Sequence, residues 1–541
     1  MKRFLWLGLV VFFCVLWSGC GETFRPIIIP NPPTFPNPKA NHSVVTISAN
    51  APSQGVAEIV PGTAMVVNVS GDTDVSIANL GLAPVHAVQQ TATQVLVVNQ
   101  SVPGSLNESL TKLSFNGSVI MSTATISLPG GSAPNFVAVA PTDTVAYVTL
   151  PGASEVGVVS TLSNNLTQTL PVGANPDAAA VTPDKTKLYV ANQGDGTISA
   201  FNVVDFTARA INGASVINAP LWLTVRTDSQ RLYVLNGNGV VSTIDTTSTA
   251  GPDTVIDSSI SVPGATYMVY DPNKNRLYIP GGGVMEIVDI SGSIPQLLST
   301  ITIPNVPNLP ASGSLPATAV AVAALPDGSQ AYVASVPSAT QASQASISAV
   351  QGTGTTATYS YMWSGGHDLT PGITVAISGI ASPNDSFNGT YTITSVSGTS
   401  CATQTCTFQA TNTTVLTTQT AVTGTAVSVI NNLFPQVTVI NAVTNTAQST
   451  ISMPGFPDAT DASSPYYVPV CATTRFRFNM AAGGDSSRAY FSACDGGAVD
   501  IINTATNTYL LDLSAPVGVR PIIPPDPTNP PQNPVFLLAG P

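Results

Sequence analysis

The residues that could perform acid–base or metal chemistry in this sequence are few and far apart. Three of the 541 residues are His, at positions 42, 86 and 367, and five are Glu. The three His residues fall in different segments, so we do not expect a His-based metal cage. No Gly-x-Ser-x-Gly elbow stands between a strand and a helix, and no Gly-rich loop opens a helix to hold a phosphate. We therefore predict no catalytic constellation, no cofactor and no metal site.

A second group of polar and aromatic residues stands where the predicted innermost strands of a repeat begin. The group consists of His86, Asn135, Asp177, Trp222 and Tyr267. We expect these side chains to line one mouth of a central channel, where a ligand would bind. Their mixture of imidazole, amide, carboxylate and aromatic groups does not specify a reaction.

Composition limits both the fold and the partners. Charged residues make up 8% of the chain and hydrophobic residues 43%, which excludes a disordered acidic chain and a charged helical bundle. The formal net charge is −12, and no basic cluster interrupts it, so nucleic acid is not an expected partner. An all-β protein remains, and we expect a monomer.

The N-terminus has the features of a secretory leader. Lys2 and Arg3 precede an apolar run over residues 4–17, which is too short to span a bilayer comfortably. The following Ser18-Gly19-Cys20 resembles the bacterial lipobox, although Trp17 stands where an aliphatic residue is usual. The resemblance implies cleavage after residue 19 and lipidation of Cys20. A plain signal peptide that happens to contain Cys is the alternative.

Residues 20–42 follow as a Pro-rich segment, which we predict to be an extended tether between a lipid anchor and a folded body. This arrangement predicts an exported protein held to the bacterial envelope, at the outer membrane or cell surface. Residues 519–541 are also rich in Pro, and we predict that they form a C-terminal tail outside the body.

An internal repeat organises the body. The run Lys187-Leu188-Tyr189-Val190-Ala191-Asn192 recurs as 231–236, 276–281 and 330–335 with small changes. The Tyr residues at 147, 189, 233, 278 and 332 are 42, 44, 45 and 54 residues apart. Four short strands and their turns occupy about 40–50 residues, so this period predicts the blades of a β-propeller.

This pattern resembles the YVTN-type β-propeller repeat, at Tyr189 to Asn192 above all. The resemblance implies an all-β ring of seven blades, as in bacterial surface lipoproteins and lactonase-like propellers. An eighth blade is an alternative, because a half-copy lies at residues 65–79. A loose array of β-sandwiches is a further alternative.

The repeat is interrupted once. We assign residues 43–340 and 431–518 to the propeller and residues 341–430 to a small β-sandwich-like module inserted in a late blade. Tyr359, Tyr361 and Trp363 alternate along this module. They could present a sugar-binding platform on one face, or they could fill the core of the module.

Four Cys residues remain after Cys14 of the leader and the lipidation candidate Cys20. An even number in an exported chain favours disulfides. We predict two local bonds, Cys401–Cys406 within the inserted module and Cys471–Cys494 within the last blade. Metal binding is the rival, but neither a Cys-x-x-Cys spacing nor His partners are present.

Two functions remain open. The first is a non-enzymatic surface scaffold that binds a protein or a glycan at the envelope. The second is a lactonase-like hydrolase that holds a divalent metal in the channel, with activity that depends on Asp177. The anchor, the tether, the inserted module and the missing catalytic constellation favour the first.

Overall fold

The computed structural model describes residues 43–50, 61–70, 72–101, 104–307, 314–366, 369, 371, 373–398, 401–429, 431–462, 467–510 and 533–540. Within these residues the chain forms eight sheets of four or five strands, antiparallel apart from one short parallel pair, which we number 1 to 8 along the chain. The predicted leader, Cys20 and the tether lie outside the described residues.

The strands of the first four sheets are given from the innermost to the outermost. Sheet 1 is β43 (Pro534–Ala539), β1 (Ser43–Ser48), β2 (Thr63–Asn68) and β3 (Thr73–Asn79); sheet 2 is β4 (Pro84–Thr91), β5 (Gln94–Asn99), β6 (Ser109–Asn116) and β7 (Val119–Ser127); sheet 3 is β8 (Phe136–Val139), β9 (Val145–Leu150), β10 (Glu155–Ser160) and β11 (Asn165–Pro171); sheet 4 is β12 (Pro176–Val181), β13 (Lys187–Asn192), β14 (Thr197–Asn202) and β15 (Ala208–Arg209).

The remaining four sheets follow the same order. Sheet 5 is β17 (Pro220–Val225), β18 (Arg231–Asn236), β19 (Val240–Asp245), β20 (Asp253–Ser261) and β16 (Ile211–Asn212); sheet 6 is β21 (Val269–Asp271), β22 (Arg276–Gly281), β23 (Val284–Asp289) and β24 (Gln296–Thr302); sheet 7 is β27 (Ala317–Ala324), β28 (Gln330–Pro337), β36 (Gln436–Asn441) and β37 (Thr446–Ser452); sheet 8 is β39 (Phe478–Ala482), β40 (Arg488–Ala493), β41 (Ala498–Asn503) and β42 (Thr508–Tyr509).

The chain also contains short elements between its longer strands. They are the two-stranded pairs β25 (Val306–Pro307) with β26 (Ser314–Leu315) and β35 (Asn432–Leu433) with β38 (Phe456–Pro457), the helix α1 (Pro469–Thr473), and three 3₁₀ turns at Pro151–Ala153, Ala214–Val216 and Asp385–Phe387.

The sheets form a ring. Their innermost strands contact one another in the order β43, β4, β8, β12 and β17, and again in the order β21, β27, β39 and β43. Sheets 5 and 6 pack through a shared buried cluster that includes Leu235 and Met268. Each sheet therefore buries both of its faces against its neighbours, and the fold is a β-propeller.

Two predictions drawn from the sequence need correction. The structure has eight four- or five-stranded sheets where seven blades were predicted, and the additional one, sheet 1, contains the half-copy at residues 65–79 on which the eight-blade alternative was based. Its innermost strand, β43, lies within the segment 519–541 that was predicted to be a tail. The ring closes because β43 pairs with β1, with Leu537 opposite Thr46.

The repeated Lys/Arg-Leu-Tyr-Val motif joins neighbouring sheets. Four cations occupy the first position of a second strand, and each reaches the turn between the third and fourth strands of the next sheet. Lys187 donates hydrogen bonds to the carbonyl oxygens of Thr246 and Ser248, Arg231 to that of Ser293, and Arg276 to that of Ala442. Arg488 donates to the carboxylate of Asp72. Tyr189 and Tyr490 donate to Asp253 and Asp72 in the same turns. A chain with few charges thus uses its cations at the seams between blades.

The Asn that ends the motif has a separate role. Asn192 donates to Ser199 Oγ at 2.9 Å and Asn236 donates to Ser242 Oγ at 3.0 Å. Both acceptors lie on the third strand of the same sheet. The motif therefore fixes the hairpin through Asn and the seam through Lys or Arg and Tyr.

The inserted segment forms a closed six-stranded barrel rather than a sandwich of two sheets. Its strands are β29 (Ser343–Thr353), β30 (Thr356–Gly366), β31 (Thr374–Ser378), β32 (Gly389–Ser397), β33 (Cys406–Thr411) and β34 (Val415–Ser428). The long strands β29 and β34 pair along most of their length and close the barrel. The barrel lies between β28 and β36, the second and third strands of sheet 7.

A short stem fixes the barrel to the ring. Gln341 and Asn432 exchange two backbone hydrogen bonds of 2.8 and 2.9 Å, and β35 pairs with β38. Leu433 packs into the core between sheets 7 and 8, whereas the next residue, Phe434, packs into the core of the barrel. A side chain at Gly455 would collide with the Phe434 ring. The stem is therefore a packed connection with a defined geometry.

Both predicted disulfides are formed. Cys401 and Cys406 have their Cα atoms 5.4 Å apart, and Cys471 and Cys494 have theirs 5.5 Å apart. The second bond lies beside the ring closure, since Asn533, directly before β43, donates to Cys494 O at 3.0 Å. Disulfides of this kind are typical of extracellular or periplasmic proteins. Among the residues described, no helix is long and apolar enough to cross a membrane.

Candidate functional site

The five residues predicted to line a channel mouth come together at one end of the ring. They stand at or just before the beginning of innermost strands, which places them at the same end. Four further residues that were not predicted join them there: Phe136, Arg475, Phe476 and Phe536. Instead of lining an open mouth, these side chains contact one another across the axis. We call this group the central plug.

The plug is mainly aromatic. The ring centroids of Trp222 lie 5.2 Å from Phe136, 6.0 Å from Tyr267 and 5.9 Å from Phe476, all in edge-to-face geometry. Phe476 also meets Phe536 at 4.8 Å. Aromatic pairs at these separations contribute about 0.5–1.5 kcal/mol each beyond their burial. The plug therefore holds together side chains from, or directly before, the innermost strands of seven different sheets.

His86 is a packed residue of the plug. Its ring stacks on Phe136 with centroids 3.9 Å apart, and only 4% of the residue is exposed. Its Nδ1 accepts a hydrogen bond from the N–H of Val137 at 3.3 Å, which places the proton of the neutral ring on Nε2. Burial, with a smaller contribution from Arg475, lowers the pKa of His86 to about 3. His86 is thus neutral at ordinary pH and poorly suited to act as a general base.

This pKa predicts a specific dependence of stability on pH. In the unfolded chain His86 takes up a proton as the pH falls through about 6.5, whereas in the folded chain it stays neutral down to about 3. The free energy of unfolding should therefore fall by roughly 2 kcal/mol between pH 8 and pH 5 on account of this residue. In the variant His86→Asn, whose amide oxygen can replace the acceptor, this part of the pH dependence should vanish. Urea unfolding at both pH values measures it, and identical pH dependences in the two proteins would contradict the assignment.

Asp177 and Arg475 form an ion pair inside the plug. The Nη2 atom of Arg475 lies 2.7 Å from Asp177 Oδ2, and Asn135 Nδ2 donates to Asp177 Oδ1 at 2.6 Å. Each charged side chain is 16% exposed. Burial raises the pKa of Asp177 and lowers the pKa of Arg475. Each charge consequently depends on the other for compensation.

Arg475 also binds two backbone carbonyls on the opposite side of the ring. Its guanidinium donates to Asp177 O at 3.3 Å and to Leu221 O. Asp177 and Leu221 are the extra residues of β-bulges in β12 and β17, where the pairing register shifts. Arg475 directly precedes Phe476 ahead of sheet 8, which lies opposite sheet 4 in the ring. One side chain therefore spans the axis and holds the innermost strands of sheets 4 and 5.

Other polar side chains near the axis form hydrogen bonds with backbone groups on the unpaired edges of innermost strands. Tyr267 Oη accepts from the N–H of Val322 at 2.7 Å, and Asn479 Oδ1 accepts from the N–H of Leu537 at 3.3 Å. His86 and Asn135 bond backbone groups of the next sheet in the same way. Innermost strands need such partners because only one of their edges is paired within the sheet. The polar residues predicted as ligand contacts thus have structural partners.

The plug does not fit a metal-dependent hydrolase. Both carboxylate oxygens of Asp177 already accept hydrogen bonds, one from a guanidinium and one from an amide. A divalent cation at Asp177 would lie against the positive charge of Arg475. Across the described ranges no three His, Cys, Asp or Glu side chains are grouped as metal ligands would be. We derive no reaction step from this site.

The module aromatics do not form an exposed platform. Tyr359 and Tyr361 are fully buried in the barrel core, and Trp363 is partly buried against it. Tyr359 stacks on Phe408 with centroids 4.8 Å apart and donates to Phe387 O at 3.1 Å. Their alternation therefore marks the inner face of a strand, and of the two interpretations drawn from the sequence these side chains follow the second, in which they fill the core of the module. His367 lies outside the described residues.

Comparison with known proteins finds similarities to solved structures alone. No protein-family model matches the chain, and no curated protein matches its sequence. Among solved structures, AztD from Citrobacter koseri is 8% identical over 92% of this chain and 98% of its own, with a TM-score of 0.48. A functionally unknown protein from Desulfotomaculum acetoxidans is 14% identical over 54% of this chain and 89% of its own, with a TM-score of 0.41. A chain of a nidogen/laminin complex is 13% identical over 49% and 94%, with a TM-score of 0.32. Similarities with TM-scores below 0.5 carry no argument about fold, activity or ligand.

Proposed function

We propose that this protein is an exported, lipid-anchored β-propeller of the YVTN-repeat type that serves as a non-enzymatic binding scaffold for a protein or glycan at the bacterial envelope. The sequence supports export through the leader at residues 1–19, anchoring through Cys20 and the Pro-rich tether that follows. The two disulfides agree with an oxidising compartment.

The proposal rests on one observation: the polar side chains of the plug are bonded to other groups of the ring. His86 is neutral and packed, Asp177 is committed to Arg475 and Asn135, and Tyr267 bonds the next sheet. These groups stabilise the ring instead of facing a substrate. We therefore assign recognition to a different surface.

We place the recognition surface on the barrel. Ala317, at the beginning of β27, pairs with Pro337, at the end of β28, so the barrel leaves the ring at the same end as the plug. It has its own core and adds nothing to the eight sheets. Residues 343–428 contain two carboxylates, Asp368 and Asp385, and no Lys, Arg or Glu. Such a module is suited to an uncharged partner, because contact with it removes few charges from water.

On one side of the barrel, outward-facing residues of four paired strands lie next to one another. Ser346 lies between Met362 and Thr425, Thr425 lies beside Ser378, and Val427 lies between Gln344 and Ala376. All of these side chains are exposed. They are short hydroxyl, amide and apolar groups, which combine hydrogen bonding with a low cost of desolvation. We call them the barrel face and propose that it contacts the partner.

The test removes the barrel without opening the ring. Because Gln341 and Asn432 form a hydrogen-bonded antiparallel pair, replacing residues 342–431 by Asn-Gly should close a two-residue hairpin between them. We expect this ring-only variant to melt cooperatively but to lose capture of envelope components from a fractionated extract. Full capture by the folded ring-only variant would overturn the proposal.

A point variant tests the barrel face itself. Thr425→Lys places a charge at the centre of the face and should weaken capture at least tenfold, which corresponds to about 1.4 kcal/mol. Thr418→Lys, at another exposed position of β34, is the matched control and should retain capture. Metal-dependent lactone hydrolysis that disappears in Asp177→Ala would favour the hydrolase instead.

A further inference from the structure

The guanidinium of Arg475 is surrounded by a complete set of recognition groups. It meets the carboxylate of Asp177 at 2.7 Å, the carbonyl oxygens of Asp177 and Leu221, and the face of Trp222, whose centroid lies 5.2 Å from Cζ. Phe476 adds a second ring at 6.0 Å. Apart from Phe476, the neighbour of Arg475, these groups belong to sheets 4 and 5 and do not depend on the position of Arg475 in the chain.

This set is selective for a guanidinium. A planar fork of N–H donors can satisfy a carboxylate and two carbonyls at once while its face lies on an aromatic ring. An ammonium ion is a compact point charge with a strong hydration shell, so it matches the fork less well. Trp is the aromatic side chain that attracts cations most strongly. Asp177, Leu221 and Trp222 thus define the chemistry of the ligand.

Arg475 reaches these groups from a connection between strands. It lies between α1, which ends at Thr473, and β39, which begins at Phe478. The ion pair keeps partial access to solvent, because the Arg475 and Asp177 side chains are each 16% exposed. The groups that recognise the guanidinium and the segment that supplies it are therefore separate parts of the fold.

We propose that this end of the channel is a guanidinium-binding site that the chain fills with its own Arg475. The site binds a guanidinium group, such as the side chain of an arginine, through Asp177, the two bulge carbonyls and Trp222. When Arg475 is shortened, the same groups bind a guanidinium from solution. This inference does not depend on the function proposed for the barrel.

The experiment uses the body of the protein, residues 41–541, with Trp363→Phe so that Trp222 is its only Trp. In this background Arg475→Ala should bind methylguanidinium with a saturable change in Trp222 fluorescence and a rise in Tm. The protein that retains Arg475 should show neither effect at the same concentration, because its site is filled. Adding Asp177→Asn to Arg475→Ala should weaken the binding at least tenfold. Tetramethylammonium at equal ionic strength should produce no saturable change.

A second variant keeps the test valid if Arg475→Ala does not fold. Arg475→Met keeps a side-chain stem of similar length and leaves only the guanidinium position vacant. If either variant is recovered unfolded, refolding in methylguanidinium should restore its cooperative melting. The proposal is overturned if neither variant responds to methylguanidinium more than to tetramethylammonium, or if neither is rescued by it.

Discussion

A chain that ends after residue 532 should fail to form a cooperatively folded ring. This truncation removes β43, whose Val535, Leu537 and Leu538 are 0%, 3% and 9% exposed and whose Phe536 belongs to the plug. Burying the three aliphatic side chains contributes about 5–9 kcal/mol, which is comparable with the 5–15 kcal/mol typical of a whole domain. The loss also exposes β1, β4 and β39, which β43 contacts.

Thermal melting followed by circular dichroism measures this effect. A chain that ends after residue 540 lacks only Pro541 and is the control for truncation itself; it should melt as the full chain does. Leu537→Asp should reproduce most of the loss, whereas Ala539→Asp, at an exposed position of the same strand, should have little effect. A cooperative transition of unchanged midpoint in the 532 truncation would contradict closure by β43.

Asp253→Leu should be the most damaging single change at a seam between sheets. The Asp253 carboxylate is fully buried and lies 2.7 Å from Lys187 Nζ, 2.7 Å from Tyr189 Oη and 3.4 Å from Arg209 Nη2. Removing it leaves two buried cations without a counter-charge. Breaking a buried ion pair in this way costs about 3–5 kcal/mol.

Urea unfolding gives the size of this loss. Asp205→Leu is the matched control, because Asp205 is exposed and its carboxylate bonds only Thr207 in its own turn. The control should change stability by no more than about 0.5 kcal/mol. Equal effects of the two substitutions would show that the Asp253 seam adds no more than a surface turn does.

The repeat made the fold predictable, because Tyr recurs at the same position of the second strand in successive copies. Tyr189 donates to Asp253 on the next sheet, as Tyr490 does to Asp72. Asn192 donates to Ser199 on its own sheet, as Asn236 does to Ser242. The part of β43 in closing the ring was missed for a physical reason. The apolar run at residues 535–538 stands among Pro-rich sequence, and its partner β1 lies at the other end of the chain.

The plug was only half predictable. His86, Asn135, Asp177, Trp222 and Tyr267 were found because they open innermost strands. A regularity that was not used would have added two more residues: an aromatic or His residue follows Pro by two positions at His86, Phe136, Trp222 and Phe536. Arg475 has no such signal. Its partner Asp177 lies 298 residues away, and only the closed ring brings the two together.

Alternation in the barrel sequence left two interpretations of its aromatic residues open. Tyr359, Tyr361 and Trp363 occupy every second position, which indicates one face of a strand but not which face is exposed. Closure into a barrel turned that face inward. The outer face of the barrel carries few residues of the types found in functional motifs. Which of its residues are neighbours depends on how β29 and β34 are aligned, and the sequence does not show that alignment.

The most direct test of the proposal that the barrel, and not the ring, recognises the partner is a two-colour competition on isolated envelopes. Intact protein and the ring-only variant, labelled with different dyes, are mixed in equal amounts and allowed to compete for the same envelope sample. We predict that the intact protein is enriched at least tenfold in the bound fraction, because recognition resides on the barrel. Equal amounts of the two proteins in the bound fraction would contradict this account and return recognition to the ring.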